Sequence, residues 1–412
     1  MPADPSRSNT KWFMLALAAL THTFVVAMPT MCMPVLFEEI SEDLGLTLVQ
    51  IGAIWGLGSL AGMLTGLVGG SLGDRYGTKR TLVWTCLLAG IAGALRGLST
   101  GFYSLSATFF IFGFLTPAIP INVHKVCGIW FSKKRLGMAN GIVSAGMALG
   151  FALGAMISAT KLSPWLGGWQ NVLFLYGAIS IGISVLWALT RTAPVERQQT
   201  TSQEGTASIR QSLAHVLRIR NIWYLGLAMM GLGACIQGML GYLPLYLRDI
   251  GWAEANADGA LSAFHTISLI CAIPIALSSD RLGSRKTILI AGTMMIATGT
   301  GLLSLVDGSA IWVMVLMAGI FRDGFMAVLM TVIIELDEVG PGYAGTAMGA
   351  VSLFSRLSGL ISPPLGNSLA GIDASLPFVF WAALGFAALW GLNMFTEERR
   401  VVAVPGKRKP VR

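Results

Sequence analysis

Gly70-Ser71-Leu72-Gly73-Asp74-Arg75-Tyr76-Gly77-Thr78-Lys79-Arg80 returns, in degenerate form, as Ala276-Leu277-Ser278-Ser279-Asp280-Arg281-Leu282-Gly283-Ser284-Arg285-Lys286. Both copies read D-R-x-G and then a basic pair, 206 residues apart. A second echo lies at an offset of 208: Gly137-Met138-Ala139-Asn140-Gly141 against Gly345-Thr346-Ala347-Met348-Gly349. Two echoes at nearly one offset point to two parallel repeats in the 412-residue chain.

The surroundings of the motif say what each repeat is made of. Hydrophobic residues are 54% of the chain and charged ones 12%, with a mean hydropathy of +0.69. A soluble protein carries roughly 25% charged residues, so lipid is the expected solvent. A membrane-crossing helix needs about 20 apolar residues. Such runs lie near 12–36, 48–72, 80–98, 102–125, 136–160 and 170–190, then 222–247, 258–278, 286–305, 310–335, 343–370 and 374–395. The longest polar interruption separates 1–190 from 222–412 and leaves 191–221 as a central cytoplasmic loop. With both termini cytoplasmic, 22 of the 28 basic residues fall on that side, and only Lys161 and Arg248 on the other. That is the positive-inside bias of a multi-pass protein of the cell (inner) membrane. The first outer loop is acidic, with Glu38, Glu39, Glu42 and Asp43. The net charge of +8 therefore reports topology, and no nucleic-acid partner is expected. The five cysteines form no C-x-x-C pair, and no G-x-x-x-x-G-K-[ST] loop is present. No metal, cofactor, ATP drive or enzymatic activity is expected.

The D-R-x-G-x-K-R stretch between the second and third spans, with its degenerate copy between the eighth and ninth, resembles the signature of the major facilitator superfamily. Trp130-Phe131-Ser132-Lys133-Lys134-Arg135-Leu136-Gly137-Met138-Ala139-Asn140-Gly141 is similar to the W-F-x-x-x-x-R-G-x-A-x-G region of its small organic-anion branches, such as anion:cation symporters, monocarboxylate/oxalate carriers and cyanate-permease-like proteins. Here Leu136 breaks the R-G pair. The resemblance implies an all-α membrane protein of twelve transmembrane helices in two pseudo-symmetric six-helix bundles. It implies a cavity lined by spans 1, 4, 7 and 10, lipid-facing spans 3, 6, 9 and 12, alternating access, and a monomer.

Within this frame the motif residues read as gating groups: Gly70, Asp74, Arg75, Gly77 and Arg80 in the first copy, Asp280, Arg281 and Gly283 in the second. Asp74 can meet a helix N-terminus of the other half, and Gly73 and Gly77 let the chain turn tightly. Glu335, at the end of span 10, reads as an inner tether to Arg281, Arg285 or the loop after span 4. Pro117 and Pro120 are expected to break span 4. Glycines at four-residue spacing in spans 2 and 5 read either as static packing or as a face on which the halves rock.

Charge inside the spans points to the solute. Arg322 and Asp323 lie about twelve residues into span 10, roughly 18 Å along a helix, and Arg356 lies similarly deep in span 11. Each such charge costs about 2.5–3.5 kcal/mol on insertion scales. As sequence neighbours, Arg322 and Asp323 need not face each other. Two arginines against one carboxylate leave one positive charge for an anion, and a guanidinium suits a carboxylate. Candidate solute contacts are therefore Arg322, Arg356, His22, Asn122 and His265; candidate proton carriers are Asp323 and His22. Arg96, near the end of span 3, is expected to snorkel or to pair with outer acids. The expected activity is secondary active transport of a small anionic solute, proton-coupled. The alternatives are an exporter of neutral or apolar compounds, for which the methionines of span 1 could form a pocket, and an anion exchanger without proton coupling. A non-transporting receptor would carry an added soluble domain, and a channel would not require the repeated motif.

Overall fold

The computed structural model describes residues 5–66, 69–190, 209–282, 284–340 and 343–397. Gly283, residues 191–208 of the central loop and the basic tail from 398 on lie outside the described residues. Among the described residues all regular structure is helical. Twelve helical columns follow one another: α1 (Thr10–Leu44), α2 (Leu48–Thr65), α3 (Thr78–Leu98), α4 (Phe102–Trp130), α5 (Arg135–Leu166), α6 (Trp169–Leu189), α7 (Arg220–Asp249) and α8 (Glu254–Ser279), then α9 (Arg285–Leu302), α10 (Ala310–Glu335), α11 (Ala344–Leu369) and α12 (Leu376–Met394).

Ten of these are long and apolar enough to cross a membrane. The other two, α9 and α11, are helical where the sequence predicts spans. Arg285 and Lys286 open α9, and α11 is diluted by Ser352, Ser355, Arg356, Ser358, Ser362, Pro363 and Pro364. The chain is an all-α, multi-pass membrane protein.

Several columns differ from their expected outline. α1 continues to Leu44, past the expected end near residue 36, and is interrupted by a π-helical turn at His22–Ala27. Glu38, Glu39, Glu42 and Asp43 are therefore helical residues and not a loop. Likewise Arg248 stands on α7 and Asp258 on α8. α4 breaks into Phe102–Leu115 and Ala118–Trp130, as the prolines predict. α10, expected to be continuous, also breaks, into Ala310–Ile320 and Arg322–Glu335.

Packing follows the repeat. α1 packs on α5 and α3 on α6; in the second half α7 packs on α11 and α9 on α12. The two halves of the chain meet along α2 against α11 and α5 against α8. Trp84, Leu88, Ile91 and Leu95 leave an exposed apolar stripe on α3 at helical spacing, and Val379, Phe386 and Trp390 do so on α12. Those faces suit lipid.

The glycine stripes serve two different contacts. On α2, Gly52 and Gly56 press on the backbone of Pro363 and Leu360, so this stripe is a seam between the halves. On α5, Gly150 and Gly154 press on Thr23, Ala27 and Met28 of α1, inside the first half. Small residues let these backbones approach closely. A Cβ at Gly56 would run into the Leu360 carbonyl oxygen, whereas one at Gly141 would meet nothing within 4 Å. Gly56→Leu is expected to destabilise the purified protein by about 1–3 kcal/mol and lower its thermal midpoint. Gly141→Leu should leave the midpoint unchanged, and equal midpoints for the two variants would refute this reading of the seam.

Candidate functional site

Between the halves lies a cavity in two lobes. The larger, about 320 Å³, is bounded chiefly by Gln237 of α7, Arg322 and Asp323 of α10, and Ser352, Ser355 and Arg356 of α11. The smaller, about 220 Å³, is bounded by Thr30 of α1, Trp55 of α2, and Phe109, Phe112 and Thr116 of α4. Ser59, Gln237 and Arg356 belong to both walls. Columns 1, 4, 7 and 10 line the cavity as the resemblance implies, and α2 and α11 join them. Both helix breaks open onto it, through Thr116 and Pro117 on α4 and through Arg322 and Asp323 on α10.

The two mid-depth arginines differ in their surroundings. Arg322 Nη1 donates to Asp323 Oδ1 at 2.7 Å, so these neighbours do face each other. The helix break allows it: Arg322 and Asp323 open a new helix, where side chains can fold back on one another. Asp323 stands in the first turn of that helix, where its charge complements the partial positive end. Its backbone N–H donates to Ser268 Oγ at 3.1 Å. The Arg322 guanidinium also lies 5.7 Å from the ring of Phe151, which α5 supplies from the first half. Arg356, in contrast, has no carboxylate within ion-pair distance among the described residues. It reaches across the seam to Gly62 of α2, where a Cβ would collide with its Nη1.

One end of this cavity is sealed by ions. Arg248 Nη2 donates to Asp258 Oδ1 at 2.6 Å, with both side chains buried. Arg248 Nη1 reaches α1, donating to Val35 O at 2.8 Å and lying 3.1 Å from Glu38 Oε2. The second Asp258 oxygen accepts from Thr160 Oγ1, at the far end of α5, at 2.7 Å. Two groups of the second half thus hold two columns of the first. Nearby, Trp55 Nε1 donates to Gln237 O at 2.9 Å and Asn367 Nδ2 to Leu48 O at 2.8 Å, again across the seam. At the opposite ends of α5 and α11, a Cβ on Gly137, Gly141, Gly345 or Gly349 would meet no atom within 4 Å.

The remaining candidate residues lie elsewhere. His22 is buried, its Nδ1 3.2 Å from Val143 O and its ring 5.4 Å from that of His124. His265 is buried between Phe151 and Phe264. Asn122 is buried, with Nδ2 donating to Ala118 O at 2.8 Å. None of the three lines either lobe. Asn122 instead packs on the first motif: a Cβ at Gly73 would collide with its Oδ1. Gly73 lies inside the helix Gly69–Tyr76, so its role is close approach and not the turn expected of it. Gly77 makes the turn, at φ +86°.

Three of the four residues in the two basic pairs, Lys79, Arg285 and Lys286, are held within their own halves. Lys79 Nζ donates to Thr190 O at the end of α6, and Lys286 Nζ donates to Asn393 O and Phe395 O at the end of α12. Arg285 makes a bidentate pair with Glu335 at 2.8 and 2.9 Å, which ties α9 to α10. Glu397 accepts from Ser284 Oγ and from the Arg285 backbone N–H, capping α9. Arg75 lies 5.5 Å from the Tyr76 ring, and Arg75, Arg80 and Arg281 are exposed. The side chains of Asp74 and Asp280 are outside the described set, and Gly70 lies in the same short helix as Gly73.

The family model of the Major Facilitator Superfamily matches residues 15–363 and 247–411. The chain belongs to this superfamily. It is a secondary transporter of small solutes that works by alternating access, and not an enzyme. It is 23% identical to the probable sulfoacetate transporter SauU of Cupriavidus necator, over 94% of each chain. It is 24% identical to the 4-hydroxybenzoate transporter PcaK of Pseudomonas aeruginosa, over 93% of this chain and 91% of that one. The crystal structure of the nucleoside transporter NupG shares the fold, with a TM-score of 0.78 at 13% identity, covering 94% of this chain and all of the other (100%).

Sequence reasoning singled out Arg322, Asp323 and Arg356, which line the cavity, but not Gln237, Trp55 or the Arg248–Asp258 pair. Gln237 was visible as a lone amide in an apolar run. The pair was not, because its members sit near different helix ends. Removing Arg248 leaves Asp258 buried without its counter-ion, which costs about 3–5 kcal/mol. In a cysteine-free background, Ile40→Cys, fully buried beside this end, should label with a membrane-impermeant maleimide more than about tenfold faster once Arg248→Ala is added. An unchanged labelling rate would show that the pair does not hold this end shut.

Proposed function

We propose that the chain transports a small, carboxylate-like anion, with Arg356 as its principal contact. The carrying observation is the Arg356 guanidinium in the common wall of both lobes, without a carboxylate at ion-pair distance among the described residues. A half-buried cation at this depth favours an anion, and a guanidinium can grip a carboxylate with two parallel bonds. Arg322 is already matched by Asp323, so it contributes direction and hydrogen bonds more than net charge. Relatives whose names specify sulfoacetate and 4-hydroxybenzoate support the same class.

In this reading residues 1–190 and 222–412 are two six-helix bundles joined by the 191–221 loop, and all twelve columns cross the membrane. Both termini are cytoplasmic, the Arg248 end faces outward, and the protein works as a monomer in an inner membrane. The ionic seal at the Arg248 end and the open space around Gly137, Gly141, Gly345 and Gly349 support a conformation open to the cytoplasm. Asp323 is the proposed proton carrier, with His22 as the second candidate. One feature favours the rival reading of exchange without protons: Asp323 already has a cationic partner in Arg322.

The test is uptake into proteoliposomes. Arg356→Gln should lower the affinity for the transported anion by about 30-fold or more while the protein still inserts and folds; wild-type affinity in that variant would refute the anion site. Asp323→Asn should abolish stimulation of uptake by an imposed pH gradient but leave counterflow exchange intact. Stimulation that survives the substitution would remove Asp323 as the carrier.

A further inference from the structure

Arg96 departs from its sequence expectation more than any other residue. It neither snorkels nor pairs with the outer acids. A short 3-10 turn, Arg96–Leu98, ends α3, and the Arg96 side chain is fully buried inside the first half. Its Nε donates to Gly93 O at 3.2 Å and its Nη1 to Pro29 O at 3.0 Å. Its Nη2 has no hydrogen-bond partner among the described residues. No carboxylate neutralises it within ion-pair distance in the same set. The guanidinium instead lies 4.0 Å from the ring centroid of Phe112 and 5.9 Å from that of Phe109.

Those two rings are the wall of the smaller lobe. Arg96 is thus a full positive charge one phenyl ring behind the cavity. Arg356 stands in the same lobe's wall, and none of the residues bounding that lobe is acidic. An isolated buried charge is expensive, and a guanidinium does not shed its proton to escape that cost. Two carbonyls and two ring faces compensate for part of it. The ring faces are electron-rich; with the cation drawn onto one of them, Phe112 presents a less negative surface toward the cavity.

We infer that Arg96 is a hidden counter-charge for the transported anion, which makes the aromatic lobe select an organic anion over its neutral isostere without touching it. The inference rests on the anion reading above and adds a second cation and the lobe in which it acts. Two unit charges about 8 Å apart at an effective dielectric near 20 change an affinity by about 30-fold.

The experiment compares acids with their amides. Binding of carboxylates from acetate to benzoate, and of the matching amides, is measured on the purified full-length protein, and the tightest acid–amide pair is the probe. Arg96→Gln should weaken the acid by about 30-fold and leave the amide within about twofold. Arg96→Lys, which keeps the charge, should retain most of the acid's preference. Cys32→Asp offers an independent route: Cys32 Sγ and Arg96 Nη1 both donate to Pro29 O, at 3.3 and 3.0 Å, so a carboxylate there gives Arg96 a counter-ion. That variant eases the burial of Arg96, so it decides the matter if Arg96→Gln is not recovered folded, and it should also lose the preference for the acid. Acid and amide falling together, or an unchanged ratio in Arg96→Gln and Cys32→Asp, would overturn the role of Arg96 alone. If no carboxylate binds the wild-type protein, the anion reading fails and this inference with it.

Discussion

The buried contact between Arg248 and Asp258 is the constraint on which this conformation depends. Taking both ions out of water cancels much of their attraction, so the pair adds little net stability. Its value is positional. Asp258 has one oxygen on Arg248 and the other on Thr160, and Arg248 extends past it to Val35 and Glu38. The pair is preassembled in the second half and clasps α1 and α5 of the first. If this end parts, both ions return to water and recover their hydration. The two states therefore differ by a small balance of large terms, as a molecule that must occupy both in turn requires.

A closed end and an unpaired cation constrain each other. On the proposed reading, in which the opposite end is open, Arg356 keeps some hydration. Sealing that end as well would strip water from a bare guanidinium. An anion on Arg356 turns the cavity from positive to neutral and lowers the cost of sealing it. On the proposed reading, solute binding therefore favours the occluded state without any dedicated mechanical link. The Arg322–Asp323 pair helps by being neutral already: it supplies polar groups to the solute and adds no second bare charge.

Much of this was legible in the sequence because it rests on local rules. Apolar run length gave the helical columns, proline gave the break in α4, and the D-R-x-G spacing gave the repeat. Mid-run charges gave Arg322, Asp323 and Arg356, since ions at that depth need a reason. What was not legible depends on tertiary neighbours. Glu38 and Arg248 looked like solvated loop charges because hydropathy cannot show that a helix continues past its apolar stretch. Arg96 looked like a snorkelling side chain because nothing nearby in sequence shows that α3 ends in a turn that buries it. Gly73 looked like a turn residue because its true neighbour, Asn122, comes from α4. His22, His265 and Asn122 were attractive as polar residues in spans, but polarity inside a span does not say which face carries it.

The repeat also bears on a feature that residue propensity predicts at only one of its two sites. α4 breaks beside Thr116, and α10 breaks beside Arg322. Their last helical residues before the break, Leu115 and Ile320, are 205 residues apart and their first after it, Ala118 and Arg322, are 204 apart, close to the 206 of the two motif copies. Pro117 accounts for the first break by removing a backbone donor; the second break has no proline. A common architecture that requires an interrupted column beside the cavity accounts for both. The chemistry placed at the two breaks then differs. The first half offers Thr116 and Pro117 next to an aromatic wall, whereas the second offers Arg322 and Asp323, a charged pair at a fresh helix N-terminus. Both halves share a break, and on the proposed reading the residues at the two breaks diverge because one solute is held from two unlike sides. The two cations proposed to face the solute are likewise unevenly dealt, Arg356 in the cavity wall on one half and Arg96 behind a ring on the other.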